Sequence, residues 1–192
     1  MYRVARLTKR RLAIDICLLA AILAAGYALY RYHFRIKAAI WHVLHGNSVI
    51  LPGYRMSVPS HWFPEQDTTP DLYLWNARTG ESIWLRSFPK PRNFTLALWS
   101  DLEQRRLNDP KNPIVERREI QVAGDPFVCF EKDFEVALPP TSSPKQTVHM
   151  PSVWCRSSGP LDITFFGGVR AAPRHDYGEF YSILSTIHKS SP

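Results

Sequence analysis

No proline precedes Pro52, although the 192 residues contain 16. The first quarter of the chain therefore holds no proline to break a helix. Acid is almost missing from the same region, where Asp15 stands alone among the first 45 residues. Cysteine is scarce, at three, and no C-x-x-C pair occurs, which removes the usual dithiol redox motif. G-x-S-x-G, H-E-x-x-H, the P-loop and G-x-G-x-x-G are absent as well, so no linear motif marks hydrolase, zinc-protease or nucleotide chemistry. What is present is 45% hydrophobic, 21% charged and 12% aromatic, the composition of a folded chain rather than a disordered one.

The net charge of +7 invites a nucleic-acid reading, and its distribution removes the support for it. Eight of the 24 basic residues fall in residues 1–45 against Asp15, and the remaining 147 residues carry 16 of each sign. The positive excess is thus N-terminal and the rest is neutral, so no nucleic-acid partner is expected.

Residues 12–30, LAIDICLLAAILAAGYALY, hold one charge in nineteen positions. As a helix they reach about 28 Å, close to the roughly 30 Å of a hydrocarbon core. Five basic residues precede this run (Arg3, Arg6, Lys9, Arg10, Arg11) and three follow it (Arg31, Arg35, Lys37). The positive-inside rule then expects a single-pass anchor in a bacterial-type cytoplasmic membrane. Residues 1–11 would form a basic cytoplasmic tail, residues 31–46 an interfacial stalk, and residues 47–192 a domain on the periplasmic side. Tyr27, Tyr30, Tyr32 and Trp41 crowd the far end as an aromatic belt does. A cleaved signal peptide is the rival, with Gly26-Tyr27-Ala28 the nearest approach to a cleavage site. A lipoprotein fits less well, because Ile14, Asp15 and Ile16 precede Cys17 where small residues are wanted. Ala20, Ala24 and Ala28 recur at four, a stripe on which a partner helix could pack in the membrane. Asp15, four residues after Arg11, reads as a solvated interfacial acid.

Beyond Gly46 the periodicity changes to that of strands. Strands are expected over 48–58, 71–75 and 81–88, the last two joined by the turn residues 76–80. A helix over 93–108 follows, with Phe94, Leu98 and Leu102 at intervals of four, Trp99 beside them and Asn93 as its cap. Four more strands are expected over 114–122, 127–137, 148–156 and 161–165. A closing helix would start at a capping box of Asp176 and Glu179 and carry Phe180, Ile183, Leu184 and Ile187. Connections this short favour antiparallel pairing. The expected class is α+β: an N-terminal transmembrane helix, then an antiparallel sheet of about seven strands with two packed helices.

The run Gly53-Tyr54-Arg55-Met56-Ser57-Val58-Pro59-Ser60-His61-Trp62 resembles the G-Y-x-apolar-x-apolar-P-x-x-W opening of PsbP-like and DcrB-like domains. Phe180-Tyr181-Ser182-Ile183-Leu184-Ser185-Thr186-Ile187 resembles their closing helix, so the likeness spans residues 47–190. It implies an α/β/α sandwich in membrane-associated, often extracytoplasmic proteins that mostly bind partners. These domains share no catalytic set, so the resemblance implies no site residue. Their usual lipoprotein or transit-peptide start is not seen here.

Cys129 and Cys155 have their midpoint at residue 142, within the polar loop 139–146, so a hairpin folded there sets them opposite one another. A disulfide is expected in an oxidising compartment, and two free thiols otherwise. Cys129 alternates in register with Glu131 and Asp133, which places the bridge on the more polar face, outside the main core or under a helix covering that face. His42, His45, His149, His175 and His188 show no ligand spacing, so no metal and no cofactor is expected. Trp62, after His61, reads as core packing. Asn93-Phe94-Thr95 fits the glycosylation pattern. The function expected is a non-catalytic binding or assembly domain with a protein partner. The alternative is an exported hydrolase-like enzyme assembled from distant residues such as Ser60, His175 and Asp176.

Overall fold

The computed structural model describes residues 2–68, 71–106, 114–137, 147–168 and 176–190. The chain divides into two compact units, Met1–Lys37 and Ala38–Pro192. A continuous helix, α1 (Tyr2–His45), supplies the first unit and its last turns belong to the second. Residues 14–33 of α1 are all exposed. Among the described residues, α1 is the one helix long and apolar enough to cross a membrane, with none of its apolar window buried. In the second unit, Ala38 is buried, Trp41 packs on the core, and the His42 Nε2 lies 2.8 Å from the Trp62 carbonyl.

The second unit continues with β1 (Ser48–Leu51), β2 (Tyr54–Ser57), β3 (Trp62–Thr68), β4 (Asp71–Asn76) and β5 (Ser82–Ser87). Then come α2 (Leu96–Gln104), β6 (Ile114–Val122), β7 (Asp125–Ala137), β8 (Thr147–Ser157), β9 (Leu161–Phe166), α3 (Gly178–Leu184) and β10 (His188–Lys189). Seven strands form an antiparallel sheet in the order β3-β4-β5-β9-β8-β7-β6, and β1-β2-β10 form a second, small one. The α+β class, the long apolar helix and the seven-stranded antiparallel sheet agree with the expectation from sequence.

Three local expectations differ. The segment 48–58 is not one bent strand: Gly53, at φ +80°, reverses it into the β1–β2 hairpin, a backbone region where glycine carries no side-chain penalty. Residues 62–68, where no strand is expected, form edge strand β3, whose register shifts between Pro64 and Gln66. The shift follows from chemistry, since Pro64 has no N–H to give and strands tolerate proline at an edge. The capping box at α3 does not close. The helix begins at Gly178, whose N–H donates to the Asp176 carboxylate, while Glu179 turns to the His61 ring 2.6 Å away.

One face of the large sheet carries the main core. Leu72, Leu74, Ile83, Leu85, Val153 and Ile163 point to it and meet Val49, Leu51 and Met56 of the small sheet and Phe180, Ile183 and Leu184 of α3. The opposite face is covered at its β7 side by α2, where Trp99 packs edge-on against Phe130 beside Val128 and Ile114. Alternation along β7 serves both layers. Phe127 and Cys129 enter the main core, while Val128 and Phe130 enter the cluster under α2.

Candidate functional site

Strand register builds a site on the second face, beyond the part that α2 covers. Tyr73, Trp84, Thr164, Trp154 and Phe130 lie side by side across β4, β5, β9, β8 and β7. One step along, Asp71, Arg86, Asp162 and Arg156 form a parallel row of alternating charge. Side chains two apart on a strand share a face, so Trp84-Leu85-Arg86 and Trp154-Cys155-Arg156 each present a tryptophan and an arginine together. The two W-x-R pairs flank β9, about 10 Å apart by two interstrand steps. Between them is a cleft of about 190 Å³ with Trp84 and Trp154 as walls, Thr164 between them, Asp162 toward the charged end and Phe166 toward the other.

Aromatic rings hold the cations in place. The Arg86 guanidinium lies 4.4 Å from the Trp84 ring centre and 5.3 Å from that of Phe88, and Arg156 lies 5.1 Å from that of Trp99. Stacking leaves the in-plane N–H edges of a guanidinium free for a planar acceptor. Asp162 takes Lys90 on one oxygen and Arg156 at 3.5 Å on the other, while Asp71 stands 3.7 Å from Arg86. Burial pulls the Lys90 ammonium below its usual range, against the opposing pull of Asp162. Three cations thus face two carboxylates, and the Arg86 and Arg156 side chains remain 44% and 40% exposed. Flat apolar walls next to fixed positive charge suit recognition of a ring with an anion beside it.

Beneath the neighbouring helix, the Lys132 ammonium donates to Glu103 of α2 at 2.6 Å and sits 3.8 Å from the Trp154 ring centre. This buried pair ties α2 to the wall of the cleft. On the core face, Tyr181 of α3 donates to the Glu131 carboxylate at 2.7 Å, and Arg118 approaches the same carboxylate at 3.4 Å.

The residues singled out from sequence fall elsewhere. Cys129 and Cys155 are directly opposite in the β7–β8 register and joined by a disulfide. Both are buried in the main core that also holds Phe180, Ile183 and Leu184 of α3, so of the two expected positions, outside that core or under a helix covering the face, the first is corrected: Phe127 on the same face is core, and Glu131 and Asp133 are buried beyond it. Ala20, Ala24 and Ala28 are exposed along α1. Among the described residues no group of three or more His, Cys, Asp or Glu could hold a metal. Trp62 is buried in the main core, and His61 pairs with Glu179. His149 lies 3.1 Å from the Asp133 carboxylate. Thr95, part of the glycosylation pattern, caps α2 by accepting the Leu98 N–H, in place of Asn93. His175 and the loop 139–146 lie outside the described residues.

The cleft escaped the sequence reading, yet its signal is there: W-x-R occurs at 84–86 and again at 154–156. Only the strand order, which puts β9 between β5 and β8, turns two tripeptides 70 residues apart into one site.

No family model and no curated protein matches this chain. Solved structures that it resembles include a Mog1 E65A mutant, at 14% identity and a TM-score of 0.44 over 74% of this chain and 94% of that one. The Saccharomyces cerevisiae Ran-binding protein Mog1p matches at 12% identity and 0.43 over the same shares. Cyanobacterial PsbP (CyanoP) from Synechocystis sp. PCC 6803 matches at 14% and 0.39, over 72% of this chain and 87% of that one.

Proposed function

We propose that this chain is a single-pass membrane protein whose second unit is a non-catalytic binding or assembly module on the outer side of the cytoplasmic membrane. The observation that carries this reading is α1, whose apolar window has none of its residues buried inside the protein. Apolar surface of that extent is stable only when something other than water covers it, and a helix is a form in which a backbone can cross lipid fully hydrogen-bonded. The five-to-three excess of N-terminal basic residues supports an outward-facing domain. The Cys129–Cys155 disulfide supports it independently, because such bonds persist in oxidising compartments. The binding role rests on the W-x-R cleft, which offers rings and fixed charges.

Fusions at Pro192 test the orientation. An export-dependent reporter such as alkaline phosphatase should be active and a cytoplasm-dependent one silent, while the chain resists carbonate extraction and keeps an N-terminal tag. The reverse reporter pattern overturns the orientation. Loss of the tag with release of the domain makes residues 1–30 a cleaved signal.

A further inference from the structure

We infer that the cleft between the two W-x-R strands is the receptor for an acidic peptide segment of a partner protein, in which one aromatic side chain is flanked by carboxylates. The inference deepens the binding-module reading and rests on it for the existence of a partner, while its geometry stands on the cleft alone. The cleft of about 190 Å³ has the scale of one large side chain rather than of a chain of sugars. An aromatic ring entering it would meet indoles on both sides, Trp84 and Trp154, with only the small Thr164 between them. Paired aromatic faces favour a flat apolar ring through offset and edge contacts.

Charge selects what flanks the ring. Arg86 and Arg156 stand at the same level on either side of β9, each set against an aromatic face, so their forks are pre-oriented before any ligand arrives. A carboxylate on either side of an inserted ring finds a bidentate donor without the entropy cost of ordering a free arginine. Asp162 does not cancel this, because Lys90 and Arg156 already share it. Basic segments are excluded by the positive excess of the cleft. A neutral sugar ring would leave the guanidiniums unused, and among the described residues the cleft offers it few neutral hydroxyl partners beyond Thr164.

The test uses the purified full chain in detergent micelles. Its probe is a fluorescein-labelled pentapeptide with a central phenylalanine and two acidic residues on each side, followed by anisotropy. Saturable binding is expected, weakened by salt and at least about tenfold by replacing phenylalanine with alanine. Arg86→Gln with Arg156→Gln should weaken it by about tenfold or more and flatten its salt dependence. Thr164→Trp, which fills the cleft and leaves every charge in place, should abolish it at an unchanged melting temperature. Equal affinity for the alanine peptide, tighter binding of an oligoglucuronate than of the peptide, or no saturable binding would each overturn the inference. The titration is independent of which side of the membrane the domain occupies, so its failure and a failed topology assay are separate results.

Discussion

Lys132 is fully enclosed, with Glu103 at 2.6 Å as its counter-ion and the Trp154 ring against it. Such a pair is weak evidence of stability when intact but costly to break, because removing one partner strands a charge in a low-dielectric site. Lys132→Met should therefore cost about 3 kcal/mol or more. Arg106, at 3.4 Å and half-exposed, is a poor substitute partner for Glu103. Adding Glu103→Leu should recover most of the loss. Denaturant midpoints of the two variants check this, and a single variant as stable as the parent would mean that the pair is not closed in solution. Tyr181 offers a pH probe on the other face. Burial, then its hydrogen bond to Glu131, raises its phenol well above the ordinary 10.0. The folded protein keeps this proton while the unfolded chain loses it above pH 10, so the unfolded state binds fewer protons there and stability falls as pH rises. Below pH 10 the contribution is fully present. Melting temperatures of the parent should fall between pH 9 and about 11, and Tyr181→Phe should fall less steeply. Equal slopes would show that Tyr181 does not carry the effect.

At the scale of elements, apolar runs bounded by turn residues locate strands well, while alternation misassigns faces where both are covered. Strands β4, β5, β8 and β9 lie within one residue of their expected bounds. In β7 the polar-looking positions Cys129, Glu131 and Asp133 are buried, because the sheet is covered on both sides there and the carboxylates find partners inside, Glu131 with Tyr181 and Asp133 with His149. Sequence alone does not reveal such partners, since they come from elements 16 and 50 residues away. Helix α2 shows the converse. Leu98 and Leu102 suggested its buried face, yet they are 56% and 49% exposed, and Trp99, Ser100 and Glu103 face the sheet. That face is the one on which Glu103 pairs with the buried Lys132 and Trp99 packs on Phe130. Strand β3 has no apolar run to mark it, with Pro64, Glu65 and Asp67 among its seven residues. The W-x-R cleft was legible as two tripeptides but not as a site, for its geometry lies in a strand order that no local pattern encodes.

At the scale of the whole molecule, anchor and disulfide make one joint claim. Helix α1 proposes a route out of the cytoplasm, and the oxidised state of Cys129 and Cys155 would record that the domain had taken it. Cys17 supplies an internal reference, being an unpaired thiol within the apolar part of α1. Chain isolated from membranes into denaturant without reductant, with a countable thiol label present from the start, should take up one label, and two more after reduction. The bridge closes a sequence separation of 26 residues and lies among Phe127, Val153 and Ile163 rather than on a wet face. Constraint of the unfolded chain by such a loop is worth on the order of 3 kcal/mol. For a unit of this size that corresponds to a melting shift on the order of 10 °C. Replacing both cysteines by alanine, which leaves no polar atom in the core, should therefore lower the melting temperature by about that much. The same chain made without α1 in a reducing cytoplasm should match the double-alanine variant more closely than the parent. Three labels on the denatured, unreduced chain would contradict the proposed compartment, and an unchanged melting temperature in the double variant would show that the bridge is not what holds β7 to β8.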